Sequence, residues 1–182
     1  MTKVFVGGSR RVARLNPEVV RRLDAILAKQ ASILVGDANG ADKAVQNFLK
    51  TREYRDVEVF CSGDECRNNV GNWTLRHVAV ESRKRDFDFY AAKDQQMSRE
   101  ADSGLMIWDG KSAGTLMNAI RLIRQGKEVS IFEAQRPRFR ELQSESEWND
   151  FFSDCSEELK ARIAKLSASD SEIAVPVQAS LL

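Results

Sequence analysis

Three short segments of the chain combine glycines with hydroxyl, acidic and basic side chains. They read GGSRR (residues 7–11), GDANGAD (36–42) and DGKSAGT (109–115). Glycine lets a ligand approach the main chain closely, and the free N–H groups at the start of a following helix attract anions. Ser9, Arg10 and Lys111 can add a hydroxyl and positive charge. A phosphate group fits these segments.

Most of the predicted ligand-binding residues lie in the three segments. They are Gly7, Gly8, Ser9, Arg10, Gly36, Asp37, Asn39, Gly40, Asp109, Gly110, Ser112, Gly114 and Thr115. The aspartates would repel a phosphate that they faced, so we expect them to accept hydrogen bonds from ribose hydroxyls or base amino groups, or to cap helix N-termini. A nucleotide has both the anionic part and the donors that this set requires.

Several other chemistries lack a matching motif. None of the segments matches GxGxxG or GxxxxGK[ST], which disfavours NAD and Walker-type ATP sites. Cys61, Cys66 and Cys155 show no CxxC or Cys/His spacing, so we expect ordinary thiols and no structural zinc. His77 is the only histidine and lies far from the glycine-rich segments, which disfavours a catalytic triad. No cofactor and no metal site is predicted, and nothing in the sequence supports Mg²⁺.

Alternating apolar patterns give the elements that position these segments. Five β-branched apolar runs predict buried strands, at residues 4–6, 33–35, 57–60, 105–108 and 129–132. Amphipathic helix patterns lie between them, the first one beginning at Asn16-Pro17. This alternation predicts an α/β fold, a three-layer Rossmann-like sandwich with a five-stranded parallel sheet in the order 3-2-1-4-5. Since strand 1 then lies between strands 2 and 4, the three segments surround one crevice.

The C-terminal third completes the predicted domain organisation. Apolar residues from Trp148 to Leu166 repeat at three and four residues, which predicts one long amphipathic helix added to the sheet or forming a dimer interface. We divide the chain into a Rossmann-like domain (1–135), a C-terminal helical extension of that domain (136–167) and a flexible tail (168–182). The charged run ESRKRDFDF (81–89) is interpreted as a solvated face. We expect a homodimer or higher homo-oligomer.

Composition excludes other classes of partner. The 28 basic and 27 acidic residues give a formal charge of +1, so no global field favours nucleic acid or an anionic membrane. No stretch reaches the ~20 apolar residues that a membrane span needs. The first ten residues lack the apolar segment of a secretory signal, and we expect a cytoplasmic protein.

Together, the motifs resemble the SMF/DprA-LOG (SLOG) superfamily of Rossmann-like proteins, in particular its YspA-like branch. The corresponding residues are Gly8-Ser9-Arg10, Gly36 to Asp42, Trp73, Lys93-Asp94-Gln95-Gln96-Met97 and Gly114-Thr115. The resemblance implies binding, sensing or processing of nucleotides or nucleotide-derived ligands. It also implies that Lys93 and Met97 line the same crevice. Trp73 stacks on a base in one interpretation and is a core residue in the other.

Two departures from that resemblance shape the functional prediction. The hydrolytic LOG branch carries a PGGxGTxxE motif with a catalytic glutamate, whereas Asn118 stands at that position here, and an amide cannot replace a carboxylate base. Lys93-Asp94 also replaces the usual Arg-Asn. We therefore predict binding or sensing of a nucleotide. The alternative is a nucleotide-processing enzyme, an N-glycosidase, phosphoribohydrolase or phosphoesterase, that uses Asp42 or Asp94.

A DNA-handling role, which DprA-like relatives suggest, is the least expected of the three. The near-neutral charge and the lack of a basic face with interleaved aromatic residues argue against nucleic acid as a partner.

Overall fold

The five predicted strands form the centre of a larger sheet in the computed structural model, which describes residues 1–80, 85–170 and Ile173. The sheet has seven strands in the order β4-β3-β2-β1-β5-β6-β7. In chain order the elements are β1 (Lys3–Gly8), α1 (Pro17–Ala28), β2 (Ser32–Gly36), α2 (Ala41–Thr51), β3 (Val57–Ser62), β4 (Thr74–Val78), α3 (Phe87–Glu100), β5 (Ser103–Trp108), α4 (Ala113–Arg124), β6 (Glu128–Glu133), β7 (Arg138–Leu142), α5 (Glu145–Ser153) and α6 (Glu157–Ser167).

The predicted order of the central strands is confirmed, but the count of five is wrong. Strand β1 pairs in parallel with β2 on one side and with β5 on the other, which is the reversal point that the prediction required. The sequence missed β4 (TLRHV) and β7 (RFREL), which form the two edges, β7 running antiparallel to β6. Edge strands carry charged and exposed side chains, so they lack the apolar run used to identify the others.

Helices cover both faces of the sheet, as a three-layer sandwich requires. Side chains of α1 and α2, such as Leu23 and Val45, pack with Ile33 on one face. Side chains of α3 to α6 pack with Phe5 and Leu34 on the other. Helix α1 begins as predicted, because the Asn16 side chain accepts a hydrogen bond from the Glu18 N–H at 2.9 Å.

The single C-terminal helix of the prediction is two helices. Helix α5 ends at Ser153, and Ser156 starts α6 by accepting a hydrogen bond from the Leu159 N–H at 3.3 Å. A serine N-cap followed by two glutamates favours a new helix start. Of the predicted tail, residues 171, 172 and 174–182 lie outside the described residues, while Asp170 and Ile173 are buried.

The prediction of three free thiols is wrong for two of the cysteines. Cys61 near the end of β3 forms a disulfide with Cys66, and their Cα atoms are 5.3 Å apart. The chain turns back between the two residues, which brings their Cα atoms within the range that disulfides span. Cys155 is free and partly buried, and its burial raises the pKa of the thiol. Among the described helices, none combines the length and apolarity that crossing a bilayer demands.

A buried ion pair holds Asp170 against α4. Arg121 is 1% exposed, and its Nε and Nη2 atoms donate to Asp170 Oδ2 at 3.0 and 2.5 Å. Arg121 Nη1 donates to the Asn118 side-chain oxygen at 2.5 Å. The pair links the end of the described chain to the helix that begins at the crevice.

Removing one partner of this pair should destabilise the fold. Asp170→Ala leaves the buried Arg121 guanidinium without its main counterion, so we expect the free energy of unfolding to fall by about 3 kcal/mol. Urea denaturation followed by tryptophan fluorescence measures this loss. Asp150→Ala removes an exposed carboxylate of α5 and is the matched control. Equal losses in the two variants would contradict the expectation.

Candidate functional site

Ser9 joins the turns that follow β1, β2 and β5. Its N–H donates to the Ile107 carbonyl at 2.9 Å, and its carbonyl accepts from the Ala41 N–H at 3.1 Å. Its hydroxyl oxygen accepts from the Asp109 N–H at 3.1 Å and lies 3.1 Å from the Thr115 hydroxyl. The side chain is buried. The three glycine-rich segments therefore meet at one point, as the strand order predicts.

Two glycines are needed for this close approach of the turns. A Cβ on Gly8 would lie 2.8 Å from the Ala41 Cβ and would collide with the Ile107 carbonyl oxygen. Gly40 has a φ of +83°, and a Cβ there would collide with the Arg10 carbonyl oxygen. Glycine is required at both positions because the turns touch each other, a different reason from the ligand approach that the sequence suggested.

A crevice of about 930 Å³ opens at the carboxyl ends of these strands. It is bounded by α3 on one side and by the start of α6 on another. The predicted site residues that line it are Gly7, Gly8, Arg10, Asp42, Lys93, Asp94, Asp109, Gly110, Ser112, Gly114 and Thr115.

The remaining predicted residues do not line the crevice. Five of them support it or lie beside it, namely Ser9, Gly36, Asp37, Asn39 and Gly40. Trp73 donates its indole N–H to the Tyr54 carbonyl at 2.8 Å, and its ring packs beside the core on the α1 and α2 face. Met97 is fully buried between α3 and the sheet. Trp73 and Met97 thus have packing roles in this fold.

The N-terminus of α4 faces the crevice with its first N–H groups available. Asp109 fixes the preceding turn by accepting from the Lys111 and Ser112 N–H groups at 3.0 and 2.7 Å. The N-cap residue, Ser112, makes no side-chain capping bond, and no acidic residue lies in the first turn. The positive end of the helix dipole is therefore presented to the crevice, where it favours an anion.

A buried lysine pairs with two aspartates at the base of the crevice. Lys93 Nζ lies 2.5 Å from Asp94 Oδ1 and 3.9 Å from Asp42 Oδ2. Burial raises the pKa of Asp42 to about 6, although the charge of Lys93 opposes the shift. Burial alone favours the neutral amine of Lys93, but the Asp94 and Asp42 carboxylates outweigh it and raise the lysine pKa. Lys93 is therefore charged and engaged by these carboxylates.

Arg67 and Tyr90 form a wall of the crevice that the sequence did not predict. Arg67 donates to both carboxylate oxygens of the buried Asp37, Nε to Oδ2 at 2.9 Å and Nη2 to Oδ1 at 2.5 Å. Burial pushes the pKa of Asp37 upward, but the hydrogen bonds from Arg67 hold it below its ordinary value. The guanidinium carbons of Arg67 and Arg10 lie 4.6 and 5.2 Å from the centre of the Tyr90 ring.

Arg85 to Asp88, in the second half of ESRKRDFDF, are exposed as a solvated face requires, and this part of the run also borders the crevice. Residues 81–84 lie outside the described part of the chain, but Arg85, Asp86 and Phe87 line the crevice. Phe87 is 37% exposed there. In the sequence, the basic residues Arg83 to Arg85 come directly before three aromatic residues, Phe87, Phe89 and Tyr90, with Asp86 and Asp88 between them.

Four exposed cations around the crevice have no carboxylate partner within the described ranges. They are Arg10, Arg11, Lys111 and Arg162. In contrast, most of the acidic groups that line the crevice are engaged within the protein. Asp86, for example, accepts from the Phe89 N–H at 3.1 Å at the start of α3, while Glu158 is exposed and shows no such bond. The accessible charge of the crevice is therefore mainly positive.

One group of side chains has the composition of a metal site. In the described part of the chain, Asp37, Cys61 and Cys66 place their ligand atoms within 4.8 Å of one another. Each of these atoms already has a partner, because the sulfurs are bonded to each other and the carboxylate accepts from Arg67. No cofactor is assigned to the crevice.

Comparison with known proteins relates this fold to a DNA-binding protein. A scan against protein-family models finds no match, and a search of curated proteins finds none either. Among solved structures, the chain is similar to DNA processing protein A from Helicobacter pylori, in a structure described for its single-stranded DNA binding mode. The TM-score is 0.54 at 14% identity, over 91% of this chain and 80% of that one. The similarity shows the Rossmann-like α/β fold and agrees with the SLOG resemblance at that level.

This similarity corrects two expectations from the sequence. The predicted small-molecule nucleotide binding or sensing, with nucleotide processing as its alternative, is wrong, because the matched protein of this fold binds single-stranded DNA. The expectation that nucleic acid is not a partner is wrong for the same reason. The formal charge of +1 is a sum over the whole chain and does not describe the crevice, where the unpaired cations collect.

Loss of the Ser9 hydroxyl should loosen the junction of the turns. Ser9→Ala leaves the Asp109 N–H without its acceptor, so we expect the free energy of unfolding to fall by about 2 kcal/mol. Urea denaturation measures the effect, with Ser153→Ala as a control that removes an exposed serine hydroxyl. If the two variants were equally stable, the Ser9 hydroxyl would not hold the turns together.

Asp42 should give the fold a measurable pH dependence. Its folded pKa of about 6 exceeds the ordinary value of 3.8, so its stabilising contribution is complete below pH 3.8 and is lost as the pH rises through about 6. Asp42→Asn has no such titration. We expect the stability of the wild type relative to this variant to fall by about 3 kcal/mol between about pH 4 and about pH 7. Parallel stability curves from urea denaturation would contradict the assignment.

Proposed function

We propose that the chain binds single-stranded DNA in the crevice between the turns after β1, β2 and β5. The observation that carries this proposal is that four unpaired cations, a helix N-terminus and two aromatic side chains share one groove. The fold similarity to a protein whose structure is described for single-stranded DNA binding supports the same proposal.

The phosphates are held by the α4 side of the crevice. The N–H groups of Ala113 and Gly114 supply hydrogen-bond donors and the helix dipole, while Lys111 and Arg10 supply full charges beside them. Arg162 approaches from α6, across the groove. A strand that runs along the crevice meets cations on both sides.

The bases are held by aromatic side chains of α3. Phe87 and Tyr90 lie three residues apart on one face of that helix, and both line the crevice. Each base stacked on an aromatic ring contributes about 1–3 kcal/mol. A duplex keeps its bases stacked on each other, so only a single strand can offer them to the exposed Phe87, or to Tyr90 when Arg10 or Arg67 moves off its ring. These aromatic side chains therefore account for a preference for single strands.

The same proposal covers the finer family assignment. We infer that the chain belongs to the YspA-like branch of the SLOG superfamily, supported by the turn motifs at Gly8-Ser9-Arg10 and Gly114-Thr115 in their expected places in the fold. In this chain those turns bind a polynucleotide.

Fluorescence anisotropy with a labelled oligothymidylate tests the proposal. We expect wild type to bind the single strand more tightly than a duplex of the same length. The triple variant Arg10→Ala, Lys111→Ala, Arg162→Ala should lose about tenfold or more in affinity, since a hydrogen bond to a charged group contributes about 1.5 kcal/mol. The slope of log affinity against log salt should become shallower by about 2, from about 0.7 for each lost phosphate contact.

A second triple variant controls for net charge. Lys29→Ala, Lys50→Ala, Arg55→Ala removes the same charge from exposed positions at the opposite edge of the sheet, where α1 and α2 end and β3 begins. It should bind as the wild type does. Equal losses in the two triple variants, or no binding of the oligonucleotide by the wild type, would refute the proposal.

A further inference from the structure

We propose that the Cys61–Cys66 disulfide is a thiol–disulfide exchange site that fixes Arg67 at the crevice and so sets the affinity for single-stranded DNA. The part concerning affinity rests on the proposed function. The part concerning Arg67 stands on the geometry alone.

The disulfide anchors the start of the segment that forms one wall of the crevice. Cys61 is fully buried in β3, whereas Cys66 is partly buried and directly precedes Arg67. Between Ser62 and Thr74 the chain has no helix or strand. The C-terminal end of this segment is held by Trp73, which packs beside the core, whereas its start at Arg67 is held by the disulfide and by hydrogen bonds.

Those hydrogen bonds connect the segment to the turn after β2 and to α2. The Arg67 N–H donates to Asp37 Oδ2 at 3.0 Å, in addition to the two side-chain bonds described above. The Asn68 side chain donates to the Asp37 carbonyl at 2.7 Å and to the Asn39 side-chain oxygen at 3.1 Å. The Gln46 side chain donates to the Asn68 carbonyl at 3.2 Å. The residue after Cys66 is thus the one that neutralises Asp37.

The exchange reaction needs a dithiol reductant and a route to one sulfur. Cys66 is the more exposed of the pair, so a thiolate of the reductant attacks its sulfur. The Cys61–Cys66 bond breaks, the sulfur of Cys61 leaves as a thiolate and takes up a proton, and a mixed disulfide remains on Cys66. The second thiol of the reductant displaces Cys66 and closes the oxidised reductant. Two electrons and two protons pass to the protein.

Reduction removes the covalent anchor next to Arg67. When Arg67 moves away from Asp37, a buried carboxylate beside the crevice loses its counterion, and its charge repels a phosphodiester chain. The wall formed by Arg67 and Tyr90 must also be ordered again when DNA binds. Both effects lower the affinity of the reduced form.

The full-length chain tests this in two redox states, prepared with oxidised or reduced dithiothreitol. Titration of the unfolded protein should show one reactive thiol, Cys155, in the oxidised state and all three cysteines in the reduced state. Hydrogen exchange of the Arg67 amide, which donates to Asp37, should be faster after reduction. Affinity for oligothymidylate should fall by about fivefold or more, a usual size for coupling between sites.

Two variants act as controls. Cys155→Ser should respond to reduction as the wild type does. Cys61→Ser with Cys66→Ser should behave as the reduced wild type in both measurements and should not respond to the reductant. Since reduction of the wild type gives the same comparison, the test does not depend on the stability of the double variant.

The outcomes separate this inference from the proposed function. Failure of the disulfide to form in oxidising buffer overturns the inference, as does unchanged exchange of the Arg67 amide after full reduction. Equal DNA affinity in the two states overturns the claim on affinity. If exchange quickens on reduction but neither state binds DNA, the proposed function fails while control of Arg67 by the disulfide is supported.

Discussion

The crevice depends on the hydrogen bonds of Ser9, because no other described residue connects all three turns. A parallel sheet brings the carboxyl ends of its strands to one edge but leaves the loops there free to diverge. Ser9 removes that freedom by bonding to the main chain of Ala41 and Asp109 and to the hydroxyl of Thr115. The start of α4 is thereby held at a fixed distance from the β1 turn. Any ligand that bridges the two finds its binding groups already in place.

The charge that the crevice presents depends on which of its side chains form ion pairs, and not on the net charge of the chain. Lys93 offsets part of the charge of Asp94 and Asp42, and Arg67 pairs with Asp37, so the buried carboxylates oppose an anion less than their number implies. The exposed cations at the rim have no such partners in the described structure. A chain with a formal charge of +1 can therefore present a positive groove, since its acidic residues are exposed elsewhere or already paired.

The sequence predicted what depends on local pattern. Apolar runs located the five central strands and their order, and Asn16-Pro17 located the start of α1. Contacts between distant residues left no local pattern. Arg67 and Asp37 are 30 residues apart, and the Cys61–Cys66 pair depends on how one loop folds back. The edge strands were missed because exposure removes the apolar run.

Asn118 stands where the motif of the LOG branch has a glutamate, and the structure gives a physical reason for this difference. Its side-chain nitrogen donates to Asp94 Oδ2 at 3.2 Å, and its oxygen accepts from Arg121 Nη1. An amide can do both, whereas an ionised glutamate could accept from Arg121 but would repel Asp94. Asn118 therefore has a structural role in this chain, at the position where the LOG branch carries its catalytic glutamate. It connects the Lys93 and Asp94 pair below the crevice to the buried pair of Arg121 and Asp170. The side chain at this position instead connects two ion pairs at the base of the crevice.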